Sequence, residues 1–156
     1  MSDIDEVVQV WKKYCVSITD WQELTRNVEP RQSVVGPVYE FLNPLPNRPH
    51  ESFSIVDMRG GKPSNPHYHI NDAIEIYIVL QGEGVAVNGG KEEKMQKGTV
   101  VVTPPLTTHY AIPKHNLVYA AINTPPFNIK DYEEISETSK KYKFDKKQYE
   151  KLTGIS

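Results

Sequence analysis

Apolar positions recur at two different periods along the chain. Ile4, Val7, Val8, Trp11 and Tyr14 fall three or four residues apart, which predicts an amphipathic helix over 4–14 capped by Ser2, with Asp5 three positions on. A polar, proline-containing stretch from Ser17 to Pro37 follows, with no readable chemistry. From Val38 to Asn123 the pattern shifts to short runs rich in β-branched and aromatic residues: VYEFL (38–42), SFSIVDM (52–58), EIYIVL (75–80), GVAVN (84–88), TVVVT (99–103) and LVYAAIN (117–123). Gly60-Gly61, Asn88-Gly89-Gly90, Lys97-Gly98 and Pro104-Pro105 separate them as turn or strand-ending signals. Short strands at this spacing predict a mainly β, antiparallel sandwich or barrel rather than βαβ units. After Pro125 the chain turns polar and ends in a predicted short helix. Asp145 caps it, Gln148 takes the third position of a capping box, Phe144 staples onto Tyr149, and Gly154 stops it.

Charge and composition narrow the function classes. The 156 residues, 38% hydrophobic and 24% charged, suit one globular domain, with a barrel core over 38–123 and extensions over 1–37 and 124–156. The net charge is −2, and the lysines from Lys140 to Lys147 are surrounded by Glu134, Glu137, Asp145 and Glu150. Nucleic-acid binding needs clustered positive charge, so a small-molecule partner is expected instead. No apolar run reaches the roughly 20 residues that span a bilayer, so no membrane partner is expected. The first thirty residues show no signal peptide and Cys15 is the single cysteine, which favours the cytoplasm and excludes an intramolecular disulfide.

Three of the five histidines stand in a telling arrangement. His67 and His69, two apart on an extended segment, point to one side, and Glu75 opens the next run with Tyr77 and Val79 on its own face. Pro104-Pro105 ends the run after Gly98, and His109 follows. Imidazole and carboxylate together suit Zn, Fe, Ni, Co or Mn as one divalent ion. Three histidines and one carboxylate leave one or two positions open for water or substrate. His50 and His115 lie in loops and read as surface residues.

The stretch from Gly61 through His67, His69 and Glu75 to Gly82 resembles the first cupin motif, G-x5-H-x-H-x3–5-E-x6-G, at every fixed position. Gly98, Pro104 and His109 are similar to the second, G-x5-P-x-G-x2-H-x3-N, although Leu106 replaces its glycine and Pro113 its asparagine. The resemblance covers about residues 52 to 123. It implies a cupin double-stranded β-helix, an antiparallel jelly-roll barrel, with His67, His69, Glu75 and His109 as metal ligands. It also implies a homodimer, for which Val7, Val8 and Trp11 would supply an apolar face.

A narrower stretch, Glu75-x-Tyr77-x-x-Leu80-x-Gly82-x-Gly84, is similar to cupin-type sugar-phosphate isomerases. Pro66 stands where those enzymes carry glycine, and no arginine is expected to face the site. The likeness implies Glu75 and Tyr77 as catalytic residues, Glu75 serving as a base where it leaves the metal. Strand parity turns Thr107 and Ala111 to the side of His109, and Tyr68 and Tyr110 away. The expected function is a metal-dependent isomerase, lyase, decarboxylase or dioxygenase acting on a small polar molecule. The alternative is a non-catalytic binding cupin, a sensor or storage module.

Overall fold

The computed structural model describes residues 21–26, 28–42, 51–136 and 144–155. The helix expected over 4–14 and His50 lie outside the described residues. Within them nine strands form one curled antiparallel sheet: β1 (Arg31–Ser33), β2 (Gly36–Leu42), β3 (Ser52–Asp57), β4 (His67–His69), β5 (Ile74–Asn88), β6 (Lys91–Gln96), β7 (Val100–Thr103), β8 (His109–Thr124) and β9 (Tyr132–Glu134). A helix flanks it at either end, α1 (Trp21–Thr25) and α2 (Lys146–Thr153). The polar stretch before Pro37 therefore contributes α1 and β1, and the sheet runs past the expected core at both ends.

Two long strands organise the barrel. The runs 75–80 and 84–88 are a single strand, β5, and the run 117–123 is the second half of β8. The two pair from Ile74–Thr124 to Asn88–His109, with register shifts between Val79 and Gly84. At that bend Gly82 takes φ 76, and a Cβ there would run into the carbonyl oxygens of His115 and Asn116. Only glycine lets the two backbones approach so closely. Residues 113–116 continue β8 through the bend, with Asn116 at φ 42. The order β1-β2-β3-β8-β4-β9 curls around one side, while β5 carries β6 and β7.

Alternation along these strands fills two cores. Tyr77, Val79, Val101, Leu117, Tyr119 and Ala121 face the barrel interior. Their neighbours Ile78, Leu80, Val118 and Ala120 face outward onto Trp21, Phe41 and Ile55. Leu117, Val118 and Ile55 are fully buried, each contributing roughly 1.5–3 kcal/mol relative to exposure.

A third cluster seats α2, whose Tyr149 and Leu152 pack on Val87, Tyr110 and Ile112 outside the barrel. Its ends follow the sequence reading. Asp145 accepts a hydrogen bond from the Gln148 N–H at 3.0 Å, Phe144 meets Tyr149 edge to face, and Gly154 closes the helix at φ 70. The return half of the capping box is different. The Gln148 amide donates to Gly90 O and Glu92 Oε1, tying α2 to the β5–β6 hairpin.

Candidate metal centre

Two strands bring the three histidines into the barrel interior, β4 carrying His67 and His69 and β8 opening with His109. β4 is held between β8 and β9, with His67 opposite both His109 and Glu134. A hydrogen bond from Ile135 N to Pro66 O continues that clamp. His67 and His69 leave β4 on one side, as their spacing requires. Glu75 stands on β5 between Asn123 of β8 and Thr103 of β7. All four side chains are buried, and one ligand atom from each lies within 4.8 Å of all the others. The imidazoles of His67 and His109 are 4.2 Å apart, and those of His69 and His109 5.2 Å.

Backbone carbonyls set two of the tautomers. His67 Nδ1 donates to Asn65 O and His109 Nδ1 to Thr107 O, each at 2.8 Å. A carbonyl only accepts, so both rings carry a proton on Nδ1 and turn Nε2 to the centre. His109 Nε2 then lies 2.7 Å from Glu75 Oε2, and His69 Nε2 lies 3.7 Å from it. Neither contact has hydrogen-bond geometry, and both Nε2 atoms are buried without a partner. An Nε2 atom facing a carboxylate oxygen at that range calls for positive charge between them, a ring proton or a metal ion. The donor set, imidazole nitrogens with one carboxylate and no thiolate, fits a borderline divalent metal.

Side chains, not backbone, hold the carboxylate. Glu75 Oε1 accepts from Asn123 Nδ2 at 3.0 Å and Oε2 from the Tyr77 hydroxyl at 2.7 Å. Burial alone would raise the Glu75 carboxyl, but His109 and His69 outweigh it and hold the group well below the usual range. Burial, with the neighbouring His109, keeps His67 well below its ordinary value and therefore neutral. Burial and the Glu75 charge push the Tyr77 phenol well up, so it keeps its proton and acts as a donor.

A cavity of about 140 Å³ opens beside Glu75, His67 and Tyr77. Its walls include Ser52 and Ser54 of β3, Phe127 and Tyr132 beyond β8, and Arg31 of β1. Arg31 corrects the expectation that no arginine faces the site: edge strand β1 folds back over the cavity from a stretch with no readable motif. Asn123 was also missed. Its signal was a polar residue closing the run LVYAAIN at the inward parity of Tyr119 and Ala121. Tyr110 turns away to α2, and His115 is exposed.

Comparison with known proteins agrees with this architecture. Residues 54–116, which span the four clustered side chains, match the family model described as Cupin domain. No curated protein matches the sequence. A variant of Streptomyces PAC13 with uridine superposes with a TM-score of 0.61 at 14% identity, over 74% of this chain and 89% of that one. PAC13 is described as a nucleoside dehydratase. A protein from Planctomyces limnophilus gives 0.59 at 21% identity, over 69% and 90% of the two chains. KdgF from Halomonas sp. gives 0.53 at 19%, over 60% and 82%. At such identities the likeness is one of fold. The barrel is a cupin barrel, as the two motifs implied.

Proposed function

We propose that the chain is a metal-dependent cupin enzyme acting on a small polar molecule that bears a carbonyl, sugar-like or carboxylate group. The observation that carries this reading is the pair of unpartnered, buried Nε2 atoms of His69 and His109 facing Glu75. His67, His69, Glu75 and His109 are the proposed ligands of one divalent ion, Zn, Fe, Ni, Co or Mn. When bound, such an ion polarises a substrate oxygen or lowers the pKa of a coordinated water.

Glu75 and Tyr77 are the proposed catalytic pair, since both line the cavity. The Tyr77 hydroxyl gives its proton to Glu75 and, with Asn123, holds that carboxylate in one orientation at the cavity, where its remaining lone pairs can accept from a substrate hydroxyl. Val38, Val56 and Ala121 add an apolar wall beside them. PAC13 and its uridine support a small-molecule ligand in a pocket of this kind. Residues 1–156 are proposed to form one domain that pairs as a homodimer.

The test is elemental analysis of protein purified without added metal, with a turnover screen of small acids, sugars and nucleosides. About one divalent ion per chain is expected, lost when His67→Ala and His69→Ala are combined. Retention should fall below about pH 6, where protons compete for imidazole nitrogen. Equal metal in parent and double variant would refute the assignment. Binding of a ligand with no product from any compound would leave a binding cupin.

A further inference from the structure

The cavity extends well beyond the four clustered side chains. On its inner face the register sets polar residues in rows across the sheet. Glu75 pairs with Asn123, which pairs with Ser52, and Tyr77 pairs with Ala121, which faces Ser54 and then Glu40. Arg31 stands beyond, opposite Val38 on β2. These residues line one continuous cavity with His67 and Glu75 at its floor.

Their hydrogen-bonding capacity is only partly used. Ser52 Oγ accepts from Phe127 N at 2.8 Å, which leaves its hydroxyl proton to give, and Ser54 makes no side-chain bond among the described residues. Arg31 donates its Nε to Glu40 Oε1 at 3.0 Å, and its Cζ lies 5.7 Å from the Phe127 ring centroid. Among the described residues its two terminal nitrogens have no partner, and no other lysine or arginine lines the cavity.

We propose that Arg31 forms an oxyanion subsite at the far end of this cavity, binding the carboxylate or phosphate of a hydroxylated substrate whose reacting end lies at Glu75. The inference rests on the functional reading above and narrows its substrate class. A guanidinium held at Nε by Glu40 and on one face by Phe127 presents its outer fork in a set direction, the geometry that receives an oxyanion through two parallel bonds. Glu40 cancels part of that charge, but a divalent ion at the floor leaves the cavity net positive, which favours an anion. The hydroxyls of Ser52 and Ser54 pair with the middle of such a molecule, while Phe127 and Tyr132 cover its apolar face.

Three probes with one polyol stem separate the possibilities: sorbitol, gluconate and sorbitol 6-phosphate, titrated calorimetrically into protein of measured metal content. At least one anion is expected to bind about tenfold or more tightly than sorbitol, and the tighter of the two names the group that Arg31 reads. Arg31→Met should remove that preference while leaving sorbitol affinity, metal content and circular dichroism unchanged. Equal affinity for all three, no binding by any of them, or a preference that survives Arg31→Met overturns the subsite. Where Arg31→Met does not fold, Arg31→Gln carries the same test, and an anion preference that survives it overturns the subsite. A chain without metal refutes the functional reading, whereas a metal-loaded chain with no anion preference refutes the subsite alone.

Discussion

Leu106 occupies the place of the glycine in the second cupin motif, and it keeps that glycine's backbone, with φ 55. The left-handed region costs an L-residue about 1–2 kcal/mol, because Cβ crowds the following carbonyl. Leu106 is 37% exposed, so its side chain returns only part of this through burial. Leu106→Gly should therefore raise stability by about 0.5–1 kcal/mol, after the added freedom of the unfolded chain is deducted. Denaturant unfolding measures it, and a loss of stability would mean that Leu106 packing outweighs the strain. At this scale the sequence was informative where spacing alone sets direction. Two-residue periodicity put His67 and His69 on one face and Tyr77 beside Glu75. It could not reveal Arg31, which reaches the cavity only because β1 folds back along β2.

Among elements, those with local signals were legible and those made by pairing were not. α2 carries its own cap, staple and stop within eleven residues, from Phe144 to Gly154. β6 reads KEEKMQ, with Met95 its only buried residue, and exists because the Gly89-Gly90 turn lays it along β5. β9 is likewise polar and is held by β4. Runs that looked separate became β5 and β8, since a bend at Gly82 interrupts the apolar pattern without ending the strand. One face of β5 and β7 remains apolar and uncovered among the described residues: Ile74, Val100 and Val102 are 41%, 57% and 53% exposed. Exposed apolar patches of this kind mark association surfaces. Light scattering at micromolar concentration is expected to give twice the 17.8 kDa chain mass. Val100→Lys with Val102→Lys should halve it, and a monomeric parent would remove the dimer.

For the whole molecule, a fold carried by its apolar interior is expected to survive removal of any bound ion. The interior cluster runs from Val38 to Ala121 and reaches Met58, Met95 and Leu117, all fully buried. Metal that binds only the native state adds about 2.7 kcal/mol when free ion is 100 times Kd. Chelation should then lower the thermal midpoint by on the order of 5 to 20 °C while leaving unfolding cooperative. Circular dichroism with and without chelator tests this. Loss of the β signal at room temperature would instead identify a metal that builds the fold.

The two ways in which the centre is held have different consequences for how it can change. His67 and His109 take their tautomers from carbonyls two residues back along their own backbone, which any side chain at Asn65 or Thr107 would still provide. Glu75 depends on the amide of Asn123 and the hydroxyl of Tyr77, each replaceable by a single codon change. Sequence drift around this barrel would thus leave the imidazoles in place and act on the carboxylate. Its charge and reach are the most easily altered property of the centre.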